Sequence, residues 1–302
     1  MRISTSAIYD SAIVSMQRQT QQLMQTQQQI SSGRRILTPA DDPVAAARAL
    51  EVSQSQSINA QYGINASGAS DSLAQEESAL GSIGGLLQDV REATVRAGNA
   101  ALSANDRAGM AVELRSRYQE LLGIANSADG SGQYLFSGYQ GRTRPFSETA
   151  PGVVAYDGDQ GQRLVQVGAS RQIAVSDAGT DVFKTGTSRD VFKTIDDFVK
   201  LLETVPVGAA LTSGLAAAQG NLDHAMENVL TLRTSAGARL LELDSAKSAG
   251  EDRSLQYSQT LSRLQDVDYA EATSELSQQQ MNLEAAQKSF VKVAGLSLFN
   301  YF

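Results

Sequence analysis

Two stretches of the chain repeat an apolar residue every seven positions, and the repeat changes phase once. Near the N-terminus it runs Tyr9, Met16, Leu23, Ile30 and Leu37. Farther on it runs Leu215, Leu222, Val229, Ala236, Leu243, Gly250, Tyr257 and Leu264, then restarts as Tyr269, Leu276, Leu283 and Phe290. Every seventh side chain of a helix returns to nearly the same face, so this period marks the seam of a helix lying along a partner. The restart falls on "DVDY" (266–269), five residues after Leu264 where seven were due. A phase jump turns the apolar stripe in a new direction, so the last segment needs a different partner. The N-terminal segment suits it, with the same period and the same glutamine-rich texture: "MQRQTQQLMQTQQQI" (16–30) against "SQQQMNLEAAQ" (277–287). The two ends are therefore expected to pair with each other.

Local signals place the other elements. The first helix should end near "SSGRR" (31–35), with Gly33 as its breaker. Asp42 then reads as an N-cap and Pro43 as the first helical residue, where a missing N–H costs nothing. No proline follows until well past Ala101, so one very long helix is expected there, bending at Gly63, Gly68 or the Gly81–Gly85 cluster. Ser103 and Asp106 form a capping box for the next helix, which shows Met110, Leu114, Tyr118, Leu121 and Ala125 on one face. Residues 133–184 change texture: "QYLFSGYQ", "GVVAYDGDQGQRLVQVG" and "RQIAVSD" read as strands between glycine turns. Because 140–187 enters and leaves through strands, it reads as an insertion that the helical bundle does not need. A short helix with Phe192, Ile195, Val199 and Leu202 precedes Pro206, and a second very long helix runs from about Leu211.

The expected fold is mainly α, with paired terminal coiled-coil helices, a long-helix bundle and a small central β insertion. Its parts are 1–42 and 266–302 for the coil, 43–139 and 188–265 for the bundle, and 140–187 for the insertion.

Composition excludes more than it proposes. A net charge of −8 argues against nucleic-acid binding. Cysteine is absent, which removes disulfides, thiolate metal sites and a cysteine nucleophile. No run of 18 apolar residues spans a membrane, and the N-terminus lacks the basic and apolar regions of a Sec signal, so export would need another route. His224, the only histidine, sits in an alanine-rich helix without a nucleophile to activate. "DGDQG" (157–161) resembles the start of a calcium loop, but Gln162 stands at the glycine position and Gly168 at the bidentate glutamate position. It reads as a tight hairpin turn between two strands. No enzyme and no cofactor is expected.

The glutamine-rich ends carry the functional expectation. A two-helix coil alone in water exposes most of its surface and normally carries charge there. Residues 16–30 hold eight glutamines and a single charge, Arg18. Such residues can be enclosed while hydrogen-bonding to neighbours, so the ends read as helices that assembly covers on several sides.

"MRISTSAIY", "ISSGRRILTPADDPVAAARAL", "GQYLFSG" (132–138), "DVDYAEATSELSQQQ" and the closing "GLSLFNYF" resemble the flagellin superfamily. "MRIST" and "LSLFNY" are more similar to its hook–filament junction branch than to flagellins proper. The resemblance implies a structural adaptor: a flagellin-like, extracellular part of the bacterial flagellum, exported through the flagellar type III apparatus. It also implies partners, namely a ring of its own copies, hook-associated protein 1, flagellin, and a cytoplasmic export chaperone that holds the C-terminal segment. No nucleic acid and no membrane are among them. The implied assembly residues are Tyr9, Met16, Leu23, Ile30, Leu37, Tyr269, Leu276, Leu283, Phe290 and Phe299. The implied joints between layers are Gly33, Asp41, Asp42, Pro43, Asp266 and Asp268. The alternatives are flagellin itself, the filament subunit, or a secreted coiled-coil effector that binds a host protein.

Overall fold

The computed structural model of the chain describes residues 5–295. Helix α1 covers Thr5–Ser32, α2 Pro43–Ala97 and α3 Ala104–Ala125. Strands β1 (Phe146–Ala150), β2 (Val153–Tyr156), β3 (Leu164–Gln166) and β4 (Gln172–Ala174) follow. The chain continues as α4 (Gly179–Phe183), α5 (Val191–Thr204), α6 (Ala209–Gln265) and α7 (Tyr269–Gly295). It divides into two compact units, residues 60–251 and residues 1–59 with 252–302.

Residues 60–251 hold the main core. Leu80, Ile83, Leu87 and Val90 of α2 meet Leu114 and Leu121 of α3, Ile195 and Phe198 of α5, and Leu222 and Val229 of α6. The Leu215–Leu243 part of the long seam is buried, through Leu215, Leu222, Val229, Ala236 and Leu243. Ser103 caps α3 as expected, accepting from the Asp106 N–H while the Asp106 carboxylate accepts from the Ser103 N–H. Helix α2 runs unbroken through its glycines, with Val229 and Arg233 of α6 lying over Gly84 and Gly81. Packing along α6 helps offset the cost at Gly81 and Gly84, about 0.5–1 kcal/mol each against alanine, while Gly63, Gly68 and Gly85 face open space.

The β region differs from the expectation in three respects. "QYLFSGYQ" forms turns with one bridge, Ala128 to Tyr134, because Gly138 takes φ +71°. A Cβ at Gly138 would collide with the Asp159 carboxylate, which accepts from the Tyr139 N–H at 2.9 Å. "DGDQG" is not a hairpin turn. β1 pairs with β2 and β3 with β4, both antiparallel, so this segment joins two separate sheets. Its shape comes from Asp159, whose side chain also accepts from the Gly161 N–H at 2.7 Å.

Third, the insertion is part of the core. Phe146 of β1 and Phe183 of α4 are fully buried, with ring centroids 5.0 Å apart. Phe192 lies 5.5 Å from Phe146 and 5.1 Å from Phe183, and Phe136 lies 5.8 Å from Phe183. Four of the eight phenylalanines of the chain thus interlock across the segment that reads as separable. The second hairpin contributes Val167, Ile173 and Val175 to a further cluster with Leu73 of α2 and Leu243 of α6.

Polar contacts bind this hairpin region too. Glu76 of α2 is 1% exposed and accepts from the Asp177 N–H at 2.7 Å. The Asp177 carboxylate accepts from Arg239 at 2.9 Å and from Gln162 at 2.9 Å. Burial, then the Asp177 charge, push the Glu76 carboxyl up to about 7, against the opposing pull of Arg239 and Arg163.

Three outcomes follow for this unit. Phe183→Ala should cost about 3–5 kcal/mol in urea unfolding, and a linker in place of 140–187 should abolish the cooperative melt. Glu76 takes up a proton on folding, so its contribution is complete below its ordinary value near 4.5 and lost as pH rises through about 7. Across that window the stability difference between the chain and its Glu76→Gln variant should change by up to about 1.4 kcal/mol per pH unit, measured by urea melts at stepped pH.

Candidate functional site

The unit of residues 1–59 and 252–302 contains the paired ends. α1 and α7 run antiparallel: Tyr9 meets Phe290 edge-to-face at 5.8 Å, and Arg34 bridges Asp266 at the other end. That register sets Met16 level with Leu283 and Leu23 level with Leu276. Met16, Leu23, Ile30, Leu276, Leu283 and Phe290 are all half-buried, and Tyr269 is 56% exposed. Leu37 is half-buried but lies beyond the end of α1, in the connection to α2. Phe299 lies outside the described residues.

An apolar scan misses the other half of the seam. Ala12, Gln19 and Thr26 sit three residues after Tyr9, Met16 and Leu23, completing the alternating 3–4 spacing of a coiled coil. Ala272, Gln279 and Ala286 do the same on α7. Only Thr26 (4% exposed) and Ala272 (6%) are buried among the described residues of these two helices. At mid-seam the Oε1 atoms of Gln19 and Gln279 are enclosed without a hydrogen-bond partner, while Gln279 Nε2 donates to Glu275 at 3.0 Å. The outward faces carry Ile13, Val14, Met24, Met281 and Val291, each at least 41% exposed. The seam is thus thin, and the glutamine-rich exterior carries scattered apolar side chains.

The joint residues each do a definable job. Gly33 takes φ +70°, which ends α1, and a Cβ there would meet the Tyr269 hydroxyl at 3.1 Å. Two backbone hydrogen bonds cross the joint: the Arg35 N–H to the Gln265 carbonyl at 2.7 Å, and the Val267 N–H to the Gly33 carbonyl at 3.0 Å. These two bonds form an isolated backbone β-bridge that sets Arg34 opposite Asp266. Arg35, which sequence reasoning did not single out, adds a donor to the Leu264 carbonyl at 2.9 Å and pairs with Asp42 at 3.4 Å. Asp41 accepts from the Thr38 N–H at 2.8 Å and the Leu37 N–H at 3.0 Å, bonds that hold its carboxyl below the ordinary range. Asp42 caps α2 through the Ala45 N–H at 3.0 Å, with Pro43 as the first helical residue. Asp268 caps α7 through the Ala270 N–H at 2.9 Å.

Residues set aside for chemistry stay apart. His224 is half-exposed, with Glu227 3.9 Å away. No group of three metal-ligating side chains occurs among the described residues. No described helix is long and apolar enough to cross a membrane.

The chain is similar to known proteins in sequence and, over about three quarters of its length, in fold. The bacterial flagellin N-terminal helical region matches residues 3–141, and the bacterial flagellin C-terminal helical region matches 220–302. Flagellar hook-associated protein 3 of Salmonella typhimurium is 33% identical, covering 99% of each chain, and that of Escherichia coli is 34% identical over the same share. The chain belongs to the flagellar hook-associated protein 3 family. Among solved structures, a flagellar protein of Vibrio parahaemolyticus superposes with a TM-score of 0.70 at 25% identity, covering 75% of this chain and all of that one. Xanthomonas campestris FlgL gives 0.63 at 22% identity, covering 70% of this chain and 99% of its own. The flagellar junction protein FlgL of Legionella pneumophila gives 0.60 at 21%, covering 72% and 100%. In this family member the two flagellin regions cover α1 to α3 and the later part of α6 with α7. The strands, α4 and α5 fall between them.

Leu283→Lys tests the seam. An unpaired charge enclosed there costs several kcal/mol once other chains cover the helices. The variant should keep the melting curve of residues 60–251, measured by circular dichroism, and fail to enter flagella although it is secreted.

Proposed function

We propose that the chain is a structural adaptor of the bacterial flagellum that forms the hook–filament junction, the surface on which flagellin assembles. The observation that carries this reading is the end-to-end likeness, covering 99% of both chains, to two proteins named flagellar hook-associated protein 3. The physical support is the thin α1–α7 seam, whose glutamine-rich outer surface exposes Ile13, Val14, Met24, Met281 and Val291 and suits helices completed by neighbouring subunits. In this reading the residues from Tyr9 to Leu37 and from Tyr269 to Phe290 contact other subunits, and the joint from Gly33 to Pro43 with Asp266 and Asp268 holds the layers together.

The partners are further copies in a ring, hook-associated protein 1 on one side and flagellin on the other, with an export chaperone on the C-terminal segment beforehand. The route out of the cell is the flagellar type III apparatus. The chain has contacts to make and no turnover, so it is not an enzyme. Flagellin itself is disfavoured, because both full-length relatives carry the hook-associated name.

A deletion strain tests the reading. The expected phenotype is intact hooks, no filaments and flagellin monomers in the medium, restored by the intact gene. Normal filaments would overturn it, and abundance in sheared filaments equal to that of the main subunit would assign the chain to flagellin instead.

A further inference from the structure

Within residues 60–251 a cavity of about 390 Å³ opens between the end of α2, the loop after it and the start of α6. Arg107 lines it and is 8% exposed. Its Nη1 donates to the Leu102 carbonyl at 3.2 Å, but its Nε is enclosed and has no acceptor. No carboxylate pairs with this guanidinium among the described residues, and no acidic residue lines the cavity. A buried cation without a counter-charge is costly, so the position favours an anion from outside.

The start of α6 points to the same charge by a separate route. Gly208, the residue before the helix, lines the cavity and offers no capping side chain. Its carbonyl accepts from the Thr212 N–H at 3.1 Å. The first turn has no acidic residue, and among the described residues the N–H groups of Ala209, Ala210 and Leu211 have no acceptor. Of these residues Leu211 lines the cavity, with Gly208 and Thr212 beside it, so the N-terminus of a 57-residue helix sets its positive dipole end next to the cavity. Two nearby carbonyls, those of Thr94 and Val95, both receive the Gly98 N–H at 3.2 Å. The rest of the wall is mixed: Thr94, Asn99, Thr212 and Gln219 are polar, while Leu211 and Leu215 lie inside and Val95 (62% exposed) and Val207 (49%) at the rim give it an apolar side.

We propose that this cavity is an anion site that takes a carboxylate carried on a short aliphatic body. The planar carboxylate matches the guanidinium fork beside the helix N-terminus, and the side formed by Leu211, Leu215, Val95 and Val207 receives the carbon chain. Phosphate, with no apolar part, would leave that side uncovered. A free short-chain acid and a Glu or Asp side chain of a second copy of this chain present the same chemistry.

The test uses the full-length chain labelled with ¹⁵N, following the Arg107 Nε–H resonance, with butyrate as the probe and butyramide as its uncharged counterpart. Butyrate should shift the resonance saturably, while butyramide at equal concentration should leave it in place. By calorimetry, Arg107→Met should weaken butyrate binding at least tenfold. Thr212→Glu, a change at an exposed residue that places a carboxylate at the cavity, should do the same with the fold retained, so it decides the matter if Arg107→Met does not fold. Equal binding of butyramide, or unchanged butyrate affinity in Thr212→Glu, would overturn the proposal. Inorganic phosphate binding as tightly as butyrate would overturn the assignment to a carboxylate. Without butyrate, a shift that grows with protein concentration and is reversed by butyrate assigns the carboxylate to a second copy. A concentration-independent resonance assigns it to a free acid.

Discussion

The pairing of the two chain ends depends on a short backbone exchange. The Arg35 and Val267 N–H groups donate across the joint to Gln265 and Gly33, as in one rung of an antiparallel ladder. This contact fixes where α1 stops and α7 begins, and so fixes which residue of α1 stands level with which residue of α7. A slip of one residue would rotate every seam side chain by about 100° on its helix. The side chains around the exchange reinforce it: Asp42 and Asp268 cap the helices that leave the joint, Arg35 reaches two partners, and only a positive φ at Gly33 lets α1 end there. The seam itself is thin and half-wet, so the register has to be imposed from its end.

Residues 60–251 solve their stability problem by other means. The chain has only 6% aromatic residues and no tryptophan, yet Phe136, Phe146, Phe183 and Phe192 are gathered into one interlocked set. Concentrating the bulkiest side chains lets long alanine-rich helices pack closely elsewhere. The buried Glu76–Asp177–Arg239 group then ties the chain after β4 to α2 and α6 with directional bonds, which apolar contacts do not provide.

The helical architecture and the terminal pairing were legible in the sequence, because period-seven seams and caps are local and repetitive. Asp42, Ser103 and the phase jump before Tyr269 each mark a boundary where the structure has one. Three things were hidden. The polar half of the seam, Gln19 and Gln279 above all, has no apolar signature. The role of Phe146 depends on contacts with Phe183 and Phe192, which no local window around it contains. The path of "DGDQG" is set by Asp159 reaching back 20 residues to Tyr139, so a turn signal alone misjudged what it connects.

The strands come as two separate hairpins of three to five residues per strand, each closed on its own partner. This bears on crowding. A protein proposed to stand in many copies side by side would risk fusing through any long unpaired sheet border, since such a border templates further strands. Borders this short, with a bulge between Glu148 and Ala150, give a neighbour almost nothing to extend. In that proposed arrangement, recognition between copies falls to the helices and not to sheet edges.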